Sequence, residues 1–217
     1  IAGVLTHAGH SYKCQTIDEI ADIADQERDT VVDAANTLRK AGIECPIVSV
    51  GSTPTALFAR DFAGVSEVRP GVYVFGDLFQ AGIGTCTPND IALSVLTTVI
   101  AHQESKNQLL IDAGGLALSK DRSTGVFDDD CGFGLVCDVE TGQTIEGLKV
   151  ENVHQEHGQI TSPKTINFDH YPIGTQFRIL PNHSCMTAAG YDHYNVIDGT
   201  HPHPAVDVRV WRRCNGW

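Results

Sequence analysis

Basic residues are the scarce class in this chain. Only 15 Lys and Arg stand against 27 Asp and Glu, leaving a net charge of -12 over 217 residues. Such a surface repels a phosphate backbone, which excludes nucleic acid as a partner. Long apolar runs are also missing, since no stretch approaches the ~20 residues of a membrane span. The seven cysteines, at positions 14, 45, 86, 131, 137, 185 and 214, include no CxxC pair and are odd in number. That excludes the disulfide framework of a small secreted domain and suits reduced thiols in a cytoplasmic protein. There is no Gly-Lys-Ser/Thr phosphate loop, no internal repeat and no low-complexity segment. The chain opens on Ile-Ala-Gly-Val-Leu, without an initiator Met or a signal-like leader, so it is expected to start inside a domain.

What is present begins as an alternation of strand and helix. Residues 1–5 are apolar and branched. Ile17, Ile20, Ala21, Ala24, Val31, Ala34, Ala35 and Leu38 then recur at threes and fours, which predicts a helix. Thr16 and Glu19 supply its capping box and Gly42 its end. Residues 46–50 read as a second strand, residues 55–62 as a second helix and residues 67–77 as a third strand, along which Tyr73 and Phe75 alternate with Val72 and Val74. This order is that of a parallel α/β unit, in which chemistry collects at the C-terminal ends of strands. From Pro88 onward the pattern becomes β-rich. Residues 91–100 and 108–111 read as strands, turn signals follow at Asp112-Ala-Gly-Gly115, Glu140-Thr-Gly-Gln143 and Asp198-Gly199, and residues 207–211 read as a last strand. The boundary is expected near residues 80–88, punctuated by Gly82-Ile-Gly84.

Four groups of residues could carry chemistry. His183 and Cys185, two apart after the run Ile179-Leu-Pro, would share one face of an extended backbone. Imidazole and thiolate are both good zinc ligands, although His-x-Cys alone is better explained by chance packing on a strand. His7-x-x-His10 with Cys14 reads either as a second metal cluster or as side chains facing a ligand at a strand end. Gly51-Ser52-Thr53 offers backbone N–H groups and hydroxyls that suit a phosphate dianion, or an ordinary helix cap at Ser52 or Thr53. Asp128-Asp-Asp130 and His201-Pro-His-Pro204 read as solvated loops.

The motifs taken together add what spacing does not. Thr6-His-Ala-Gly-His-Ser-Tyr12, Val50-Gly-Ser-Thr-Pro-Thr-Ala56, Glu67-Val-Arg-Pro-Gly-Val-Tyr-Val-Phe-Gly-Asp77, Glu156-His-Gly158 and Pro181-Asn-His-Ser-Cys-Met-Thr-Ala-Ala189 resemble the metal-dependent D-serine dehydratase and D-threonine aldolase family, pyridoxal-phosphate enzymes of the alanine racemase fold. The resemblance implies an α/β plus β chain: the C-terminal part of a TIM-type (β/α)8 barrel in residues 1–84, then a mostly β domain in residues 85–217 that carries the metal site. It implies zinc held by His183 and Cys185, with manganese or magnesium less suited to a thiolate. It implies pyridoxal phosphate contacted by His7, Tyr12, Ser52, Thr53, Gly71, Val72 and Tyr73, the last three within an Arg-Pro-Gly-Val segment similar to one in alanine racemases. His154-Gln-Glu-His157 takes a place beside the metal or at a subunit contact.

The family's cofactor is also held by a lysine on the first barrel strand, and Lys13, Lys40, Lys106, Lys120, Lys149 and Lys164 all stand elsewhere. A complete barrel alone takes ~250 residues. The early strands, with that lysine, are therefore expected from an upstream segment, in an enzyme that resemblance makes a cytoplasmic homodimer. The activity implied is elimination of water from a small D-3-hydroxy amino acid, D-serine or D-threo-3-hydroxyaspartate, to a 2-oxo acid and ammonia. The alternatives are retro-aldol cleavage to glycine and an aldehyde, and a non-catalytic fragment without the lysine.

Overall fold

In the computed structural model the chain is described over residues 1–197 and 209–214. It divides into two compact units, Ile1–Ser94 with Thr124–Asp130, and Val95–Ser123 with Cys131–Trp217.

The first unit is built on a parallel three-stranded sheet. Central strand β2 (Ile47–Val50) pairs with β1 (Gly3–Leu5) on one side and β3 (Glu67–Val68) on the other. Gly3 is required where it stands, because a Cβ there would lie 2.2 Å from the Ile47 carbonyl oxygen. Helix α1 (Ile17–Lys40) begins at the expected capping box, with the Thr16 hydroxyl accepting from the Glu19 N–H and the Glu19 carboxylate accepting from the Thr16 N–H. It ends at Ala41, followed by Gly42 at φ 77°. Its Val31 and Ala35 pack on Val48 and Val50 of β2.

Helix α2 (Thr53–Phe58) is shorter than expected and starts two residues earlier, with Ser52 as the N-cap. The third strand also stops early, and residues 67–77 are not one strand. Pro70 has no N–H for a ladder and Gly71 lies in the right-handed helical region, so the chain turns into a 3-10 helix over Val72–Val74. The expected two-face alternation is lost: Val72 is buried, and Tyr73 and Val74 are exposed. Helix α3 (Leu78–Gly82), capped by the Asp77 side chain, follows. The unit continues past the expected boundary, because the Ala92 N–H donates to the Phe75 carbonyl and Ile91 packs beside Gly76. It then recovers residues 124–130, where Phe127 stacks on Phe79 with centroids 5.5 Å apart.

The second unit is a closed antiparallel barrel of β4 (Val95–Gln103), β5 (Gln108–Ile111), β6 (Gly134–Asp138), β7 (Thr144–Val153), β8 (Gly158–Thr161) and β9 (Gln176–Pro181), in the order β4-β5-β8-β7-β6-β9. Strand β4 begins at Val95 instead of residue 91, since residues 88–90 form a 3-10 turn. Val99, Leu109, Ile111, Val136, Val150, Ile160 and Ile179, inward-facing and fully buried, form its core. Gly134, at φ 156°, is where β6 and β9 approach too closely for a side chain: a Cβ would meet Ile179 at 2.4 Å. Helices α4 (Gly115–Leu118) and α5 (Ser184–Ala189) belong to the same unit, as does an antiparallel pair of β10 (His193–Val196) and β11 (Arg209–Arg212). Asp198-Gly199, His201-Pro-His-Pro204, the start of the expected last strand at residues 207–208 and the closing Gly216-Trp217 lie outside the described residues. Among the described residues no helix is long and apolar enough to cross a membrane.

Candidate functional site

Each unit carries one set of the predicted residues. In the first, they gather at the C-terminal ends of the parallel strands. After β1 the chain makes a 3-10 turn over Gly9–Lys13 that leaves His7 exposed and Tyr12 half-buried, their rings 6.2 Å apart. His7, His10 and Cys14 form no metal cluster. After β2, Ser52 and Thr53 are both buried. Ser52 Oγ accepts the Thr55 N–H at 3.2 Å and lies 2.7 Å from Thr55 Oγ1. Thr53 Oγ1 accepts the Tyr73 N–H at 3.2 Å, and this bond ties the β2 end to the turn after β3.

The two halves expected to hold phosphate are thus brought together. The N–H groups of Ser52, Thr53, Gly71 and Val72 donate to no protein acceptor among the described residues. A Cβ on Gly71 would meet nothing within 4 Å, and its φ of -103° suits any residue. Nothing in this chain therefore demands glycine there, whereas an anion seated against its backbone would. The donors fit a phosphate dianion without a basic side chain. Tyr73 contributes its backbone to this arrangement, and its side chain is exposed.

Two residues missed from the sequence hold these turns. Glu27, buried on α1, accepts from Thr6 Oγ1 (2.9 Å), the Gly51 N–H (3.2 Å) and Thr55 Oγ1 (3.1 Å). Its signal was a lone acid at helical spacing among Ile20, Ala24, Val31 and Ala35. Arg69 donates to Ser49 Oγ at 2.7 Å and to the Thr6 carbonyl, cross-linking all three strand ends.

In the second unit His183 and Cys185 do not share a strand face. Strand β9 ends at Pro181, His183 is the extended N-cap of α5, and Cys185 lies in its first turn. The strand fails because the buried Asn182 turns inward and donates to the Gly132 carbonyl at 2.6 Å, and the small residues that follow coil against α4. Thr187 Oγ1 lies 3.0 Å from the Leu118 carbonyl and 3.1 Å from that of His183, to either of which it can donate, and the Tyr191 hydroxyl donates to the Ala117 carbonyl. Burial raises the Tyr191 pKa, which keeps that donor protonated.

The docking of α5 on α4 brings Asp121 to His183. Ser119, at φ 68°, is a non-glycine residue with positive φ, and there the chain leaves α4 and redirects Lys120 and Asp121. His183 Nδ1 lies 2.7 Å from Asp121 Oδ2. A carboxylate on Nδ1 is the partner that fixes the tautomer of a metal-binding imidazole and leaves the lone pair on Nε2. His183 is half-buried and Cys185 exposed. The donor set suits zinc, and no described group of three or more His, Cys, Asp and Glu side chains forms a closed site around it. His154 and His157 stack in the loop between β7 and β8 with centroids 4.6 Å apart. Asp128 and Asp129 are exposed, as expected of a solvated loop. None of the six lysines lies on β1, β2 or β3.

Residues 1–78 match the family model described as alanine racemase, N-terminal domain, and residues 92–197 match the putative serine dehydratase domain. The D-threo-3-hydroxyaspartate dehydratase of Delftia sp. (strain HT23) is 45% identical over 100% of this chain and 57% of its own length. The D-serine dehydratase of Dictyostelium discoideum is 38% identical over 90% of this chain and 50% of its own. The solved structure of the Delftia sp. HT23 enzyme superposes with a TM-score of 0.92 at 44% identity, over 100% of this chain and 57% of that one. A D-threo-3-hydroxyaspartate dehydratase is also solved as a histidine-to-alanine mutant and as a cysteine-to-alanine mutant in the metal-free form, each at a TM-score of 0.91 and 44% identity over 100% of this chain and 55% and 57% of theirs, the two substitutions lying two positions apart. His183-Ser-Cys185 is the one His-x-Cys of the present chain. The chain spans about half the length of the curated relatives it matches.

Proposed function

The chain belongs to the D-serine dehydratase family of alanine racemase-like proteins, and from that premise we propose that it is the C-terminal portion of a pyridoxal-phosphate- and zinc-dependent lyase. The lyase removes water from a D-3-hydroxy amino acid, and the net products are a 2-oxo acid and ammonia. The observation that carries this reading is the pair His183 and Cys185 with Asp121 on the imidazole, in a chain 45% identical to a named dehydratase.

When bound, pyridoxal phosphate supplies an electron sink for the α-carbon, and zinc supplies Lewis acidity toward the β-hydroxyl, a poor leaving group. The chain's own residues bind and orient. Ser52, Thr53, Gly71 and Val72 would hold the phosphate by N–H groups and hydroxyl, fixing the far end of the cofactor while its ring reacts. His7 and Tyr12 would line it. Asp121 would hold the His183 imidazole in the tautomer that presents Nε2, and Cys185 would supply the thiolate. With only two protein ligands, positions would remain for water and for substrate oxygen.

The Schiff-base lysine and the other five of the eight barrel strands are assigned to an upstream segment, β1, β2 and β3 being the last three. A homodimer is proposed from the resemblance, and a cytoplasmic location from seven cysteines that are odd in number and without a CxxC pair. D-Serine and D-threo-3-hydroxyaspartate, the substrates in the relatives' names, are the substrates proposed.

Product analysis of the full-length protein tests the reading. Pyruvate or oxaloacetate with stoichiometric ammonia is expected. Glycine with an aldehyde would assign the aldolase reaction instead, and turnover of neither substrate would remove the dehydratase assignment.

A further inference from the structure

Buried carboxylates are rare unless paired with a cation or fully hydrogen-bonded. Glu27, 8% exposed, makes no ion pair among the described residues and instead receives three donors. One of them, the Gly51 N–H, is fixed as a donor, and a carboxylate can only accept. Its second oxygen receives the Thr55 hydroxyl at 3.1 Å. The same hydroxyl could turn to the Ser52 carbonyl at 3.4 Å, but the shorter, charge-assisted bond is the stronger.

That choice propagates. With its proton on Glu27, Thr55 Oγ1 can only accept from Ser52, whose Oγ lies 2.7 Å away. Ser52, its proton committed inward, then accepts from the Thr55 N–H and from Ser11 Oγ, at 3.2 and 3.3 Å. Thr53 stands outside this chain of bonds. Its oxygen accepts the Tyr73 N–H, and its proton meets no acceptor among the described residues although the side chain is only 2% exposed. A buried hydroxyl proton without an acceptor is costly to leave unmet and calls for one.

We infer that Glu27 is a positioning residue that decides which hydroxyl of the cradle donates to a bound phosphate: Thr53 donates, and Ser52 does not. This rests on the reading that the cradle takes the phosphate of pyridoxal phosphate, and it narrows the pair of hydroxyls first assigned there to one.

The test uses the full-length protein freed of cofactor and titrated with pyridoxal 5'-phosphate and with pyridoxal, the ratio of the two dissociation constants isolating the phosphate. Thr53→Val lowers the preference for the phosphorylated form about tenfold or more, and Thr53→Ser restores it. Ser52→Ala lowers the unfolding midpoint, because a helix cap is lost, and leaves the preference within about twofold. Glu27→Gln places an NH2 where the carboxylate accepted from Thr55, which reverses the chain and turns the Ser52 proton outward. In that background Ser52→Ala costs phosphate preference that it does not cost in the wild type. A loss in Ser52→Ala equal to that in Thr53→Val would overturn the inference while upholding the cradle. If no variant changed the ratio, both the cradle and the inference would fall.

Discussion

The two units differ in how much of their structure they complete by themselves. The antiparallel barrel closes, so each of its six strands has two neighbours and its core residues Val99, Leu109, Ile111, Val136, Val150, Ile160 and Ile179 are 0% exposed. The parallel sheet has one central strand and two open edges, where Leu5 is 70% and Val68 37% exposed. Closure removes the edge problem, and an open parallel sheet keeps it until more strands arrive. The same contrast divides the chemistry. The barrel unit offers side-chain ligands held by packed helices, and the sheet unit offers mostly backbone N–H groups on turns that Glu27 and Arg69 tie together.

The comparison breaks most sharply at the metal ligands. Cys185→Ala in the full-length protein should reduce zinc content to background and dehydratase activity by more than about a hundredfold, with binding of pyridoxal phosphate at the other unit's turns unchanged. Zinc retained at full stoichiometry in that variant would show that the metal sits elsewhere.

Next in size is packing. Leu109→Ala, in the closed core, should destabilise by about 2–5 kcal/mol, read as a lower midpoint in urea. Val68→Ala, at the open edge of this 217-residue chain, should cost no more than about 0.5 kcal/mol. Equal losses would contradict the assignment of an unfilled edge.

A smaller contrast is chemical. Burial pushes the thiol of Cys137, a fully buried residue of β6, up to about 11. Cys185 is exposed. Iodoacetamide at pH ~8 should alkylate Cys185 in the native protein and spare Cys137, because the thiolate is the reactive form. Added zinc should protect Cys185.

The smallest effect is acid sensitivity of the barrel. Burial would raise the Glu151 pKa, but Lys149 at 2.9 Å and Arg122 at 3.0 Å outweigh it and hold the carboxylate below its usual range. Backbone and hydroxyl donors of Thr141 do the same for Asp138. A depressed folded pKa contributes stability above the unfolded value that is lost as pH falls through the folded one. Urea midpoints should therefore decline below about pH 4, and Glu151→Gln should flatten that decline slightly, since partly exposed pairs are worth little.

Local signals made part of this legible in the sequence. The start of α1 was readable because a capping box is a contiguous pattern, and its end because Gly42 takes a conformation few other residues adopt. Strand β5 was readable at residues 108–111 from its branched run. The early stop of β3 was written in Pro70 and Gly71, but the flanking Val-Tyr-Val-Phe alternation outweighed them. The pair His183 and Cys185 could be named as candidate ligands, but its geometry could not, because the turn at Asn182 depends on Gly132, 50 residues away. Asp121 reaches His183 across 62 residues and only through the packing of α4 on α5. Long-range partners of this kind leave no periodic trace, whereas Glu27 left one, an acid on an apolar helix face.

On the function proposed above, one unit holds the phosphate cofactor and the other the metal. Dialysis of the full-length holoenzyme against a chelator, followed by zinc, tests it most directly. Ammonia release from a D-3-hydroxy amino acid should be lost on chelation and restored by zinc, while cofactor absorbance stays unchanged throughout. Full ammonia release from the zinc-depleted protein would contradict it.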